Sequence, residues 1–165
     1  MNRSEIEIMK LSRMSRQRQS FPNRRGVAVV EGAVVLASLF VVLFGMLDLS
    51  LLVLESNTLA EAARRLCRTA VVHGLMASPQ MTVWGPTTVS GTAGDGTEYA
   101  QALNPELVTF ILTNVNYVIN WPDGGNQPGN RVQVTASYQY QPMMPLILGS
   151  SPIPVTVATT MQVAH

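Results

Sequence analysis

The sequence predicts an α+β protein built on a membrane helix, and three observations carry that expectation. A basic leader runs straight into a long uncharged apolar stretch. An amphipathic pattern of helical period follows, and the last third of the chain alternates polar and apolar residues with the period of a strand.

The leader comes first. Residues 1–25 hold Arg3, Lys10, Arg13, Arg16, Arg18, Arg24 and Arg25 against only Glu5 and Glu7, whereas the rest of the chain carries four arginines and eight acids. A nucleic-acid role for this basic head is disfavoured, because it has a single aromatic residue, Phe21, and no recognisable fold. Basic residues directly before an apolar stretch act instead as a topogenic signal that stays in the cytoplasm.

Nothing is charged from Gly32 to Leu47, and after Asp48 the apolar run resumes to Leu54. A helix from Val27 to Leu54 measures about 42 Å at 1.5 Å per residue, enough to cross a hydrocarbon core of roughly 30 Å. A chain of 165 residues is too small to bury such a helix on all sides. A cleaved secretory signal requires a shorter core and a small-x-small cleavage site. Here "LESNTLAEAARR" turns directly into a second helical pattern.

Glu31 is the exception within the span. A carboxylate at mid-membrane costs about 2.5–3.5 kcal/mol, less near an interface. One account is a tolerated interfacial acid, helped by the dipole at the start of the helix. The other requires a cut after Gly26. It creates an ammonium at Val27, four residues before Glu31 and on the same helical face. Glu31 of the same chain or of a neighbour can then neutralise that charge and set the axial register between subunits. Glu31, Ser38 and Gly45 recur every seven residues, a stripe suited to close helix packing in lipid. Glycine and serine are also simply common in membrane helices. Asp48 lies about 25 Å along the helix from Glu31, near the opposite face of the bilayer.

Beyond the span, Leu59, Ala63, Leu66, Cys67, Ala70 and Val71 fall at three- and four-residue intervals and give residues 55–74 one apolar face, with Gly74 available as a terminator. Arg64, Arg65 and Arg68 fit a solvated face. Residues 77–98 read as an extended loop with a short strand at "MTVW". "NPELVTFILTN" offers Asn104 as a cap and Pro105 in the first turn of a short helix. Strands are expected at "VNYVINW", "RVQVTASYQY" and "PVTVATTMQV". In the second of these, Val132, Val134, Ala136, Tyr138 and Tyr140 share a face. A small antiparallel sheet of about three to four strands packed on the amphipathic helix follows.

Chemistry is sparse. One cysteine, Cys67, excludes an intrachain disulfide, and His73 and His165 have no companions at ligand spacing, so neither a metal nor another cofactor is expected. "GTAGDG" lacks the lysine of a phosphate loop, and "DGGNQPGN" reads as a turn rather than a calcium loop. No catalytic constellation is present, and an enzyme is not expected.

The combination of a basic leader, glycine before the cut, glutamate fifth after it and a long apolar helix resembles the type IV prepilin class. Within that class, residues 24–74 resemble the TadE-like, pilin-related proteins of tight-adherence (Tad) pilus systems, through Gly26, Glu31, Phe44-Gly45, Asp48, Ala62-Ala63-Arg64 and Arg68. The chain departs from that pattern at Gly32, where an aromatic residue is frequent, and at Ala37, where proline is common. The resemblance implies a minor pilin or pseudopilin of the bacterial inner membrane, cut between Gly26 and Val27 by a prepilin peptidase. It further implies assembly through Glu31 and Asp48 with other pilin and pseudopilin subunits and the Tad secretion platform. Three segments are expected: a cytoplasmic leader over 1–26, a single-pass transmembrane helix over 27–54 packed through Ser38 and Gly45, and a periplasmic domain over 55–165. The alternative is an uncleaved anchor whose outer domain binds a ligand or surface.

Overall fold

The computed structural model describes residues 24–145 and 149–164. Most of the basic leader therefore lies outside the described residues. The first element, α1, is a continuous helix over Arg24–Val72. It runs through both of the units into which the chain divides, Met1–Val42 and Leu43–His165.

In the first unit, every residue from Gly26 to Phe40 is exposed. The helix contains an 18-residue window of mean hydropathy 2.6, none of it buried. Valine and leucine around the whole circumference are stable only if the surroundings are themselves apolar. The serine hydroxyls obey the same constraint: Ser38 donates to the Val35 carbonyl at 2.8 Å.

In the second unit the helix changes character. Leu59, Ala62, Ala63, Leu66, Cys67 and Ala70 are buried, while Glu61, Arg64, Arg65 and Arg68 remain exposed. Four antiparallel strands, β1 (Val89–Thr92), β2 (Val115–Asn120), β3 (Arg131–Tyr140) and β4 (Ile153–Gln162), form one sheet in the order β1-β2-β3-β4. Each pair is antiparallel, and β3 and β4 stay in register from Arg131↔Gln162 to Tyr140↔Ile153. Alternation turns Val132, Val134, Ala136 and Tyr140 of β3 inward, with Val115, Tyr117 and Ile119 of β2 beside them. The small residues Ala62, Ala63, Cys67 and Ala70 let the sheet approach the helix closely. Leu59 and Leu66 fill the space, each stabilising by about 1.5–3 kcal/mol through burial.

A short helix, α2 (Glu98–Leu103), begins at Thr97, whose side chain accepts a hydrogen bond from the Ala100 amide. The Thr97 hydroxyl also meets the Tyr117 hydroxyl at 2.9 Å. Tyr117 reaches it across Gly91 of β1, where an added Cβ would lie 2.7 Å from the phenol oxygen. The Gly85 turn has φ +84° and packs against the Trp121 ring, again leaving no room for a side chain.

Four expectations need correction. "MTVW" forms no strand: Trp84 is drawn into the core, stacked on His73 with ring centroids 4.3 Å apart, and its segment follows the end of α1 rather than a sheet edge. The short strand lies at Val89–Thr92 instead. The helix expected from Asn104 lies one element earlier. Asn104 is the C-cap of α2 and opens only a three-residue 3-10 turn that holds Pro105. Finally, α1 ends at Val72 without a left-handed Gly74, because the His73 amide closes onto the Thr69 and Ala70 carbonyls. The last strand runs Ile153–Gln162, one residue earlier than the sequence pattern indicated.

Candidate functional site

The residues singled out in the sequence fall into two environments. Gly26, Val27 and Glu31 lie on the exposed helix of the first unit. A side chain at Gly26 would meet nothing within 4 Å, and Gly26, Val27, Val30 and Glu31 line one open side of the helix. Among the described residues, no cation is paired with Glu31. The Gly26–Val27 peptide lies near the Arg24 end of α1. Glycine there weakens the helix by about 1 kcal/mol relative to alanine. That weakness lowers the cost of drawing the peptide out of the helix.

Ser38 is exposed, its hydroxyl already satisfied within its own helix. Gly45, the third member of the seven-residue stripe, is buried. The same register continues through Leu52, Leu59 and Leu66, so that below the sheet the stripe becomes the face that the chain's own strands cover.

Asp48 is 1% exposed. β3 runs antiparallel to α1, from the Cys67 thiol, which donates to the Val132 carbonyl at 3.7 Å, to Tyr140 beside Asp48. The 19 helical steps from Cys67 to Asp48 span about 28 Å and the eight strand steps from Val132 to Tyr140 about 26 Å, so both elements reach the same level. There the Tyr140 hydroxyl donates to the Asp48 carboxylate. It also lies 3.1 Å from the Asp48 carbonyl oxygen. The amides of Met143 and Met144 donate to the two carboxylate oxygens at 3.1 and 2.9 Å. Three donors satisfy an acid that burial would otherwise penalise heavily. Burial, followed by the hydrogen bond to Asp48, holds the Tyr140 phenol above its ordinary pKa.

Tyr140, Met143 and Met144 were not singled out in the sequence as partners of Asp48. The alternation of β3 identifies Tyr140 only as a core residue, and the two methionines act through their backbone. The only local signal is a tyrosine ending a strand, where a phenol needs a polar partner once buried.

Elsewhere several charged groups pair with one another. Arg64 bonds Glu61, Arg65 meets Glu106 at 2.8 Å, and Arg131 clasps Asp123 across the turn before β3 at 2.6 Å. Hydrogen bonds from Arg131 hold the Asp123 carboxyl below the usual carboxylate range. Exposed pairs of this kind contribute about 0–1 kcal/mol each and describe a solvated face. Cys67 is fully buried, and desolvation pushes its thiol up to about 11. A buried thiol of that kind is poorly placed for a disulfide between molecules. Among the described residues, no group of three or more histidine, cysteine or acidic side chains is arranged to hold a metal ion.

The comparisons agree with the part of the chain that carries these features. The family model described as TadE-like protein matches residues 26–68. No curated protein and no solved structure matches the chain. The matched stretch runs from Gly26 through Glu31 and Asp48 to Arg68, taking in the exposed apolar helix and much of the helix face that the sheet covers. Over residues 26–68 the chain is similar to the TadE-like family.

Proposed function

We propose that the chain is a minor pilin-like subunit of a Tad-type pilus, held in the bacterial inner membrane by α1 and matured by a prepilin peptidase that cuts between Gly26 and Val27. Its role is structural rather than catalytic. The observation that supports it best is the open Gly26–Val27 peptide with Glu31 one turn further on, within the stretch that matches the TadE-like family.

The chemistry follows from the helix. A peptidase needs an extended peptide at the scissile bond, and Gly26, a weak helix former, yields one at low cost. Cleavage leaves an ammonium on Val27. Between Val27 and Leu47 lie 21 residues, about 31 Å of helix, which matches the hydrocarbon thickness and puts the new terminus at the inner face when Asp48 marks the outer one. Glu31 then stands one turn inside the membrane with a charge that is costly alone. Pairing it with the ammonium of its own or an adjacent chain removes both penalties and penalises any register that leaves either unpaired. The partners of such a subunit are the other pilin and pseudopilin chains and the Tad inner-membrane platform.

Replacement of Glu31 by alanine tests the pairing. Glu31→Ala should leave membrane insertion and processing intact while abolishing pilus assembly, scored by surface pili and by membrane fractionation of the variant. Normal piliation by Glu31→Ala would favour an uncleaved or passive anchor instead.

A further inference from the structure

We propose that the turn following β3 seats on the outer surface of the phospholipid bilayer, with Met143 as its inserted side chain. β3 returns along α1 to the level of Asp48, and the Asp48 carboxylate takes the amides of Met143 and Met144 at 3.1 and 2.9 Å. The turn is thereby held at the axial level of Leu43, Met46 and Leu47, which expose apolar side chains on the faces of the helix turned away from Asp48. Met143 is itself 76% exposed. A backbone turn enters the lipid border only when its amides have partners, and Asp48 supplies them from the membrane helix itself. The flexible, apolar thioether suits the disordered junction between headgroups and acyl chains. Met143 thus projects at the level where the exposed side chains of α1 in the unit Leu43–His165 are apolar, so the occupant that fits it is lipid.

Exposure alone does not mark this position. Val108 is 86% exposed but follows Glu106, which pairs with Arg65, 17 residues along the helix from Asp48 and about 25 Å away. Val108 should face water.

The inference rests on α1 spanning the membrane and is independent of cleavage. The full chain, carrying Met143→Cys or Val108→Cys labelled with the fluorophore NBD, is placed in nanodiscs of phosphatidylethanolamine and phosphatidylglycerol. Both substitutions lie at exposed positions, and the buried Cys67 stays unlabelled in the folded chain. The label at 143 should be reduced by dithionite about 10-fold or more slowly than that at 108, and quenched by lipids bearing a nitroxide near the headgroup, as expected for a group 5–10 Å into the interface. Equal reduction rates would overturn the proposal. Slow reduction without nitroxide quenching would also overturn it, because protein rather than lipid would then cover Met143. Failure of the chain to co-elute with the discs would remove the membrane span on which the inference depends, a result distinct from either.

Discussion

Two stretches of one helix, Gly26–Phe40 and Leu59–Ala70, are both rich in apolar residues and yet obey opposite rules. In the first, Val, Leu and Phe occupy the whole circumference and none of these residues is buried. In the second, apolar residues keep to one side, small ones predominate, and the sheet buries them completely. The difference is one of solvent. A side chain facing lipid gains nothing from a protein neighbour, so only length and uniform apolarity matter there. A side chain facing water gains by burial and must fit what covers it. Asp48 lies between the two stretches, the acid where the chain's own sheet first reaches the helix.

Substitutions that make the two stretches exchange rules break this contrast most strongly. Leu66→Ala opens a cavity between helix and sheet and should destabilise the outer domain by about 2–5 kcal/mol, read as a lowered denaturation midpoint in detergent. Val35→Ala, an equally apolar truncation at an exposed position of the same helix, should leave that midpoint unchanged. Similar losses from both would show that the first stretch is packed in the folded chain.

At the junction, Asp48→Ala strands the Tyr140 hydroxyl and two amides and should cost about 3 kcal/mol, while Tyr140→Phe removes one hydrogen bond to a charged group and should cost about 1.5–3 kcal/mol. Unfolding midpoints of the two variants and of the double variant separate the effects: if Asp48 acts through Tyr140, the double loss falls short of the sum.

The smallest perturbation concerns Cys67. With its thiol pushed by burial up to about 11 from an ordinary 9.0, the thiolate fraction at pH 8 falls about 100-fold, and burial slows access further. Alkylation by iodoacetamide should therefore be at least that much slower in the folded chain than after denaturation. Comparable rates would place Cys67 outside the core.

Much of this architecture was legible in the sequence, and the gaps have physical causes. The β3 boundaries followed from alternation, since Val132, Val134 and Ala136 each need the core and each intervening residue does not. The apolar span and the amphipathic face of α1 were equally plain, with only Ala62 unremarked among the face's small residues. β1 was missed because "VSGT" is a short edge strand without a hydrophobic rhythm, held by pairing with β2 rather than by its own side chains. The Asn104-Pro105 pair imitates a helix start, but the cap hydrogen bond is made seven residues earlier by Thr97. At the candidate site, Gly26, Val27 and Glu31 could be singled out because their spacing is local in the sequence. The partners of Asp48 were not, since they lie 92 to 96 residues away and two of them are backbone amides.

The central claim is the cut beside Gly26, and intact-mass measurement of the chain purified from membranes of piliated cells tests it most directly. The mass should correspond to a chain beginning at Val27. A chain that still carries Met1 and its arginine-rich head, in cells whose pili assemble normally, would contradict the account.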